Sequence, residues 1–165
     1  RPFLASDLTS LVKHANNYNI AKNLSNKFEF PYTTDHGIAF INLALSATPS
    51  EIFAITINNE AVGSIGVHPK TDIHCKNAEI GYWIEQGHRG KGLCTSAVRS
   101  LLDFSLKIMD FRRIEGMADY NNIGSQRVME RAGMVRDALL RNRVTKPNGD
   151  QIDMVLFSMV SDVNG

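Results

Sequence analysis

The stretch from Ile80 to Thr95 constrains this chain more than any other. Ile80-Gly81-Tyr82-Trp83-Ile84 reads as the end of a strand, and Gly87, Gly90 and Gly92 then fall within six residues. Apolar positions at Leu93, Ala97, Leu101, Phe104 and Ile108 follow at intervals of three and four, the period of a long amphipathic helix. A strand that runs into such a helix cannot turn back as a tight hairpin. The next strand, Arg113 to Ala118, therefore returns parallel to the first, with the helix as the crossover.

The remaining elements build around that unit. Asp7 to Ala15 carries a helical stripe of Leu8, Leu11, Val12 and Ala15 after the N-cap candidate Ser6. Phe30-Pro31-Tyr32 interrupts, Thr34 can cap a second helix with Ile38, Ile41 and Leu45 on one side, and Pro49 closes it. Glu51 to Ile57 and Ala61 to Val67 are β-branched runs around Asn58-Asn59, a hairpin signal, and Ala78 to Ile84 is a third strand. Asn122 to Ala132 reads as a helix with Val128 and Met129 facing inward and Gly133 at its C-terminal cap. Met134 to Thr145 and Gln151 to Val160 close the chain around Pro147-Asn148-Gly149, a turn. The order implies one α/β (α+β) domain over residues 1–165, three layers deep, on a mostly antiparallel sheet.

Composition removes several classes of function. With 43% hydrophobic and 21% charged residues in 165, wholesale disorder is excluded. The longest apolar runs fall far short of the ~18 residues of a membrane span. Lys and Arg number 18 against 17 Asp and Glu, a net +1 that argues against a nucleic-acid or membrane-surface binder. Cys75 and Cys94 cannot build a disulfide scaffold, and with no signal-like apolar opening they point to a cytoplasmic setting. His68, His74 and Cys75 share a loop without a fourth ligand at familiar spacing, so no metal is expected.

Small residues ahead of a helix N-terminus let backbone N–H groups approach an anion, and Arg89 and Lys91 add formal charge. Phosphate or pyrophosphate binding is one reading; a glycine turn with solvated basic residues is the other. A P-loop is excluded, because Glu85 and Gly92 occupy its first glycine and its Ser/Thr positions. The dinucleotide fingerprint fails where Thr95 replaces its third glycine.

Arg89-Gly90-Lys91-Gly92-Leu93-Cys94 resembles the acyl-CoA pyrophosphate loop of the GNAT superfamily of N-acetyltransferases, with Cys94 departing from its last position. Ala78 to Ile84 and Asn122 to Met134 are similar to the branch that acetylates ribosomal-protein N-termini (RimJ/RimL-like), as are Ala15-Asn16-Asn17 and Phe30-Pro31-Tyr32-Thr33. The resemblance implies the αβα GNAT fold, with its parallel strand pair at the acyl-CoA cleft. It implies acetyl-CoA as co-substrate, bound by Ile84 and by the loop amides of Arg89, Gly90, Gly92, Cys94 and Thr95, with Lys91 beside them. Cys94 reads as a small residue packed under the loop rather than a nucleophile, since no His has a predictable place beside it.

Direct acetyl transfer needs an unprotonated amine and a proton for the leaving thiolate. Strand alternation puts Glu79, Gly81 and Trp83 on one face. A carboxylate near Trp83 would have a raised pKa and serve as general base, directly or through water; a structural Glu bonded at the sheet edge is the alternative. Family members carry a Tyr acid seven residues after the motif Asn, and that position is Met129 here. The family's other solution, a Ser three residues after Asn122, is present as Ser125; Tyr120 is a second candidate acid. Asn122 would bond the pantetheine, or simply cap its helix.

An α-amine, titrating near ~8, is easier to deprotonate than a Lys amine near ~10.4. By resemblance the acceptor is a protein or peptide α-amine. A small amine (polyamine or aminoglycoside) is the alternative, although the first fifty residues hold no acidic cluster suited to a polycation. A non-catalytic acyl-CoA-binding module would keep the loop and dispense with the base. The chain is expected to act as a monomer or homodimer, with the terminal hairpin pairing across a two-fold axis or closing the sheet. The +1 total conceals a division: residues 1–85 carry −2, residues 86–143 carry +5 and residues 144–165 carry −2. The cationic middle contains the glycine loop, consistent with drawing in a polyphosphate cofactor.

Overall fold

Asn58 and Asn59 both take positive φ, 48° and 67°, the left-handed pair that a two-residue hairpin turn needs. They join β1 (Ile52–Ile57) to β2 (Glu60–Pro69) in an antiparallel ladder from Ile57↔Glu60 to Ile52↔Gly66. The computed structural model describes residues 1–24, 28–146 and 148–161. The further strands are β3 (Asn77–Ile84), β4 (Arg113–Asp119), β5 (Val135–Thr145) and β6 (Gln151–Val160), in the sheet order β1-β2-β3-β4-β6-β5. The β3–β4 pair is parallel, so the sheet is the mixed, mostly antiparallel one expected. Two compact units divide the chain: Arg1–Gly66 with Tyr82–Cys94, and Val67–Gly81 with Thr95–Gly165.

In the first unit, α1 (Leu8–Ala15), α2 (Tyr18–Ala21) and α3 (Thr34–Ser46) surround an apolar cluster that includes Phe3, Leu11, Ile20, Ile41 and Trp83. The start of α1 differs from the expected Ser6 cap. A 3-10 turn over Ala5–Asp7 precedes the helix, and the buried Asp7 carboxylate accepts hydrogen bonds from the Leu4 amide and from both terminal nitrogens of Arg1, each at 2.8 Å. Arg1 holds the Asp7 carboxyl below the usual carboxylate range. On α3 the cap is Thr33 rather than Thr34: its hydroxyl accepts from the His36 amide while the His36 ring accepts from the Thr33 amide.

The buried face of α3 is Gly37, Ile41 and Ala44, not Ile38, Ile41 and Leu45. A Cβ on Gly37 would lie 2.8 Å from both Leu8 and Val12, so α1 packs on bare backbone there and turns the helix, leaving Ile38 and Leu45 exposed. The short α2 has no apolar period to announce it; the Asn17 side chain, accepting from the Asn19 amide, starts it.

In the second unit, β3 and β4 pair only from Asn77↔Arg113 to Ile80↔Gly116, although β3 runs on to Ile84 and β4 to Asp119. The crossover helix is α4 (Leu93–Lys107). Its buried residues are Val98, Leu101, Leu102 and Ser105; of the expected stripe Leu101 alone is buried, and Ile108 lies past the helix end in solvent. Two stripes about a third of a turn apart satisfy the helical period, and the packing uses the one that tolerates a small Ser105. Helix α5 (Ile123–Ala132) ends at Gly133 in the left-handed region, as expected. Its buried positions are Gln126, Met129 and Ala132; Gln126 goes under, with Val128 only half-buried, because its amide donates to the Asp119 and Tyr120 carbonyls. Strand β6 lies between β4 and β5, which leaves β5 at one edge of the sheet. Of the Pro147-Asn148-Gly149 turn, Pro147 lies outside the described residues.

Candidate active site

The glycine loop belongs to the first unit. Strand β3 ends in Trp83 and Ile84, both buried, with Trp83 edge-on to Phe28 at 6.1 Å. The backbone of β2 comes so close here that a Cβ on Gly63 would lie 2.4 Å from the Trp83 carbonyl oxygen. Glu85 follows, its amide bonded to the Val62 carbonyl at 2.8 Å, and residues Gln86–His88 form a 3-10 turn. Gly90 and Gly92 then take φ of 76° and 79°. Nothing lies within 4 Å of where their Cβ atoms would be, so backbone conformation, not crowding, calls for glycine at both.

This segment delivers the chain to the first turn of α4 through exposed main chain, with the Arg89 and Lys91 side chains also exposed. The first amides of a helix have no partner within it. Open glycines, free helical N–H groups and two cations together fit a dianionic ligand such as a pyrophosphate. Half-buried Cys94 is pushed up to about 11 by burial, against the pull of Arg89, so its sulfur is a neutral thiol near neutral pH. Thr95, half-buried one residue further along α4, falls in the second unit.

The second unit holds the other candidates. Glu79 is half-buried on β3 and stands in register with Glu115 of β4. Burial alone would raise the Glu115 carboxyl, but bonds from Lys70 and Arg113 outweigh it and hold the group low. Arg113 in turn reaches Asp137, which accepts from Ser158 at 2.7 Å. By contrast, the Glu79 carboxylate has no hydrogen-bond or ion-pair partner among the described residues. His68 lies beside Gly81 on that face: its Nε2 is 3.7 Å from where a Gly81 Cβ would be, ordinary van der Waals distance.

Asn122 caps α5, its side-chain oxygen accepting from the Ser125 amide at 3.2 Å, and both residues are half-buried. Met129, at the position of the family's acid, is fully buried and its sulfur fills the space over Gly116. Tyr120 is about half exposed. Among the described residues no group of three or more His, Cys, Asp or Glu is arranged to hold a metal. Among the described residues no helix is long and apolar enough to cross a membrane.

Sequence reasoning missed the polar residues that anchor the loop from outside. His88 Nδ1 lies 2.7 Å from Glu85 Oε2, and Asn19 of α2 donates to Gln86 while accepting from Arg89, each at 3.4 Å. A Glu three residues before a His was the only local signal; Asn19 gave none, since its partners are distant in the chain.

Comparison with known proteins agrees with this geometry. Residues 1–135 match the family model described as an acetyltransferase (GNAT) domain. The chain is 39% identical over 74 residues to "Probable N-acetyltransferase YjcK" of Bacillus subtilis, covering 45% of this chain and 40% of the relative. It is 27% identical over 92 residues to the "Ribosomal-protein-serine acetyltransferase" of Escherichia coli, covering 56% and 51%. The matched segment thus spans about half the length of the curated relatives. Among solved structures, spermidine N-acetyltransferase from Vibrio cholerae, in complex with CoA and spermine, superposes with a TM-score of 0.78 over 97% of this chain and 93% of that one at 23% identity, a likeness of fold.

Proposed function

The chain belongs to the GNAT acetyltransferase family, and from that premise we propose that it moves the acetyl group of acetyl-CoA onto the N-terminal α-amine of a protein or peptide. The observation that carries the proposal is the loop from Arg89 to Gly92, which sets two open left-handed glycines and two cations before the amides of α4. In this reading the amides of Gly90, Gly92, Cys94 and Thr95 hold the pyrophosphate, Lys91 adds charge, and Ile84 lines the pantetheine arm; the Arg89 amide, expected among them, is already given to the Gln86 carbonyl at 3.2 Å, so Arg89 contributes its guanidinium instead. Asn122 bonds that arm while capping α5. When bound, acetyl-CoA supplies the activated thioester.

Glu79 takes a proton from the acceptor ammonium, directly or through water, and the freed amine then attacks the thioester. A carboxylate spent on a structural bond could not do so, and among the described residues this one has no such bond. The imidazole of His68, over Gly81, is the second group on that face able to accept the proton. Ser125 steadies or protonates the departing thiolate, a task Met129 cannot perform for want of an exchangeable proton.

Polyamine acetylation has one observation in its favour, the fold shared with the spermidine enzyme. The acidic residues of the first fifty oppose it: Asp7 is taken by Arg1 and Glu29 pairs with His36 at 3.1 Å, which leaves Asp35 to face a polycation. The proposal keeps the enzyme in the cytoplasm, without nucleic acid or membrane as partner, as a monomer or homodimer. Thiol release from acetyl-CoA tests it against peptides with free N-termini and against spermidine. Peptide-dependent release is expected, with Glu79→Gln lowering kcat by ~100-fold or more. Release with spermidine alone would overturn the acceptor, and full activity in Glu79→Gln would overturn the base.

A further inference from the structure

The cofactor loop does not stand alone on its glycines. Helix α1 ends beside it, and His14, in the last turn of α1, has a side chain only 10% exposed. His14 Nε2 lies 2.8 Å from Glu60 Oε1, at the start of β2, and Lys13 shares that carboxylate at 3.2 Å. The rings of His14 and His88 meet edge-on, centroids 6.5 Å apart and planes at 84°. His88 then bonds Glu85, whose amide is already fixed to Val62 of β2. Two carboxylate–imidazole pairs, Glu60 with His14 and Glu85 with His88, thus meet through the edge-on ring contact and connect the start of β2 to the turn that leads into Arg89.

An ionised carboxylate offers only lone pairs, so in each bond the proton sits on the imidazole: His14 donates through Nε2 and His88 through Nδ1. The Glu85 carboxyl is held below the usual range, first by the Gly87 amide and then by His88, which favours its ionised, accepting form. Donation from His88 spans the 3-10 turn over residues 86–88, and that turn sets where the main chain of Arg89, Gly90 and Gly92 begins. The glycines permit many conformations. The Glu85–His88 bond and the His14 ring contact fix the turn from which the loop departs.

We propose that His88, supported by His14, is a positioning residue for the acyl-CoA loop: it bonds Glu85, braces the turn ahead of Arg89 and so presents the loop amides to the pyrophosphate. The proposal rests on the acetyl-CoA reading above. It assigns no contact with the ligand to either ring. A brace of this kind changes ligand affinity, because a loop left loose must be ordered at each binding event, and leaves the chemical step alone.

The experiment uses the full chain with CoA itself as the probe, so that the outcome does not depend on the acceptor. Calorimetric titration gives the Kd for CoA in wild type, His88→Ala, His14→Ala and His88→Asn, and turnover supplies KM and kcat. Asn places an N–H donor close to where Nδ1 stood. Expected is a weakening of CoA binding by about tenfold in His88→Ala, less in His14→Ala, with kcat within twofold and His88→Asn near wild type. Loss of fold alone would lower the melting temperature in His88→Asn as in His88→Ala and would not separate KM from kcat. Wild-type affinity in His88→Ala, or a His88→Asn as weak as His88→Ala, overturns the proposal. If wild type binds CoA but acetylates no peptide, the acceptor reading fails while the Kd comparison still decides this one. If wild type binds no CoA, both fall.

Discussion

Gly63 and the pair Gly90/Gly92 lie in the same unit, and the chain uses glycine at the two places for opposite reasons. At Gly63 the backbone is ordinary strand and the neighbours forbid a side chain: Trp83 carbonyl oxygen and Ile84 Cα sit 2.4 and 3.0 Å from a would-be Cβ. At Gly90 and Gly92 the surroundings are empty and the dihedral angle forbids one. Crowding that excludes even a methyl marks a place where the protein is complete in itself. An unfilled surrounding with a left-handed dihedral marks a turn set by the backbone alone, as Gly149 also shows, and at Gly90 and Gly92 it leaves the main chain open to solvent.

That contrast can be broken by substitution. Gly63→Ala should be the most damaging change, costing ~3 kcal/mol or more, because the obstacle is backbone and cannot swing aside. Urea unfolding would show it, and a midpoint near wild type would mean that β2 and β3 are less tightly apposed than described. Gly90→Ala should cost ~1–2 kcal/mol of stability from the left-handed dihedral alone. Its CoA affinity should fall further than that loss of stability suggests, since the loop amides are redirected; equal affinity would detach the loop from the cofactor.

The smallest effect concerns pH. The folded-state carboxyl of Glu85 is held below its ordinary value, so its contribution to stability is present above about pH 4.3, the unfolded value, and is lost as pH falls through the folded one. Urea midpoints of wild type and Glu85→Gln should therefore differ at pH 6 and converge toward pH 3. A constant gap across that range would show that the charge of Glu85 does not carry its effect.

How much of this could be read from residues alone depended on the range of the interaction involved. Asn58-Asn59, the Asn122 cap, Gly133 and the loop glycines were legible because each acts within four residues of itself. Strand limits came within a residue or two at either end, and the parallel β3–β4 pair followed from the length of the crossover. The inward faces of α3 and α4 were misread, because a helical period admits more than one stripe and only the partner selects among them. Gly37 under Leu8 and Val12 made that selection for α3.

The candidate site divides in the same way. Gly90, Gly92, Arg89 and Lys91 stand together in sequence and were found there. Glu79 was singled out by strand alternation, but its in-register neighbour Glu115, paired with Lys70, could not be, as Glu79 and Lys70 meet it from 36 and 45 positions away; only Arg113, two residues from Glu115, is local.

By itself, then, the sequence determined the order of the strands and of the longer helices, the Asn58-Asn59 turn, the Asn122 and Gly133 caps and the glycine-rich loop before α4, all products of local dihedral preference and hydrogen bonding. Only the tertiary structure decided which helix faces are buried, that Glu79 keeps its carboxylate free of partners among the described residues, and that His14 meets His88 across 74 positions of chain. Those outcomes depend on close packing and on paired charges, which have no meaning until distant segments share the same few ångströms.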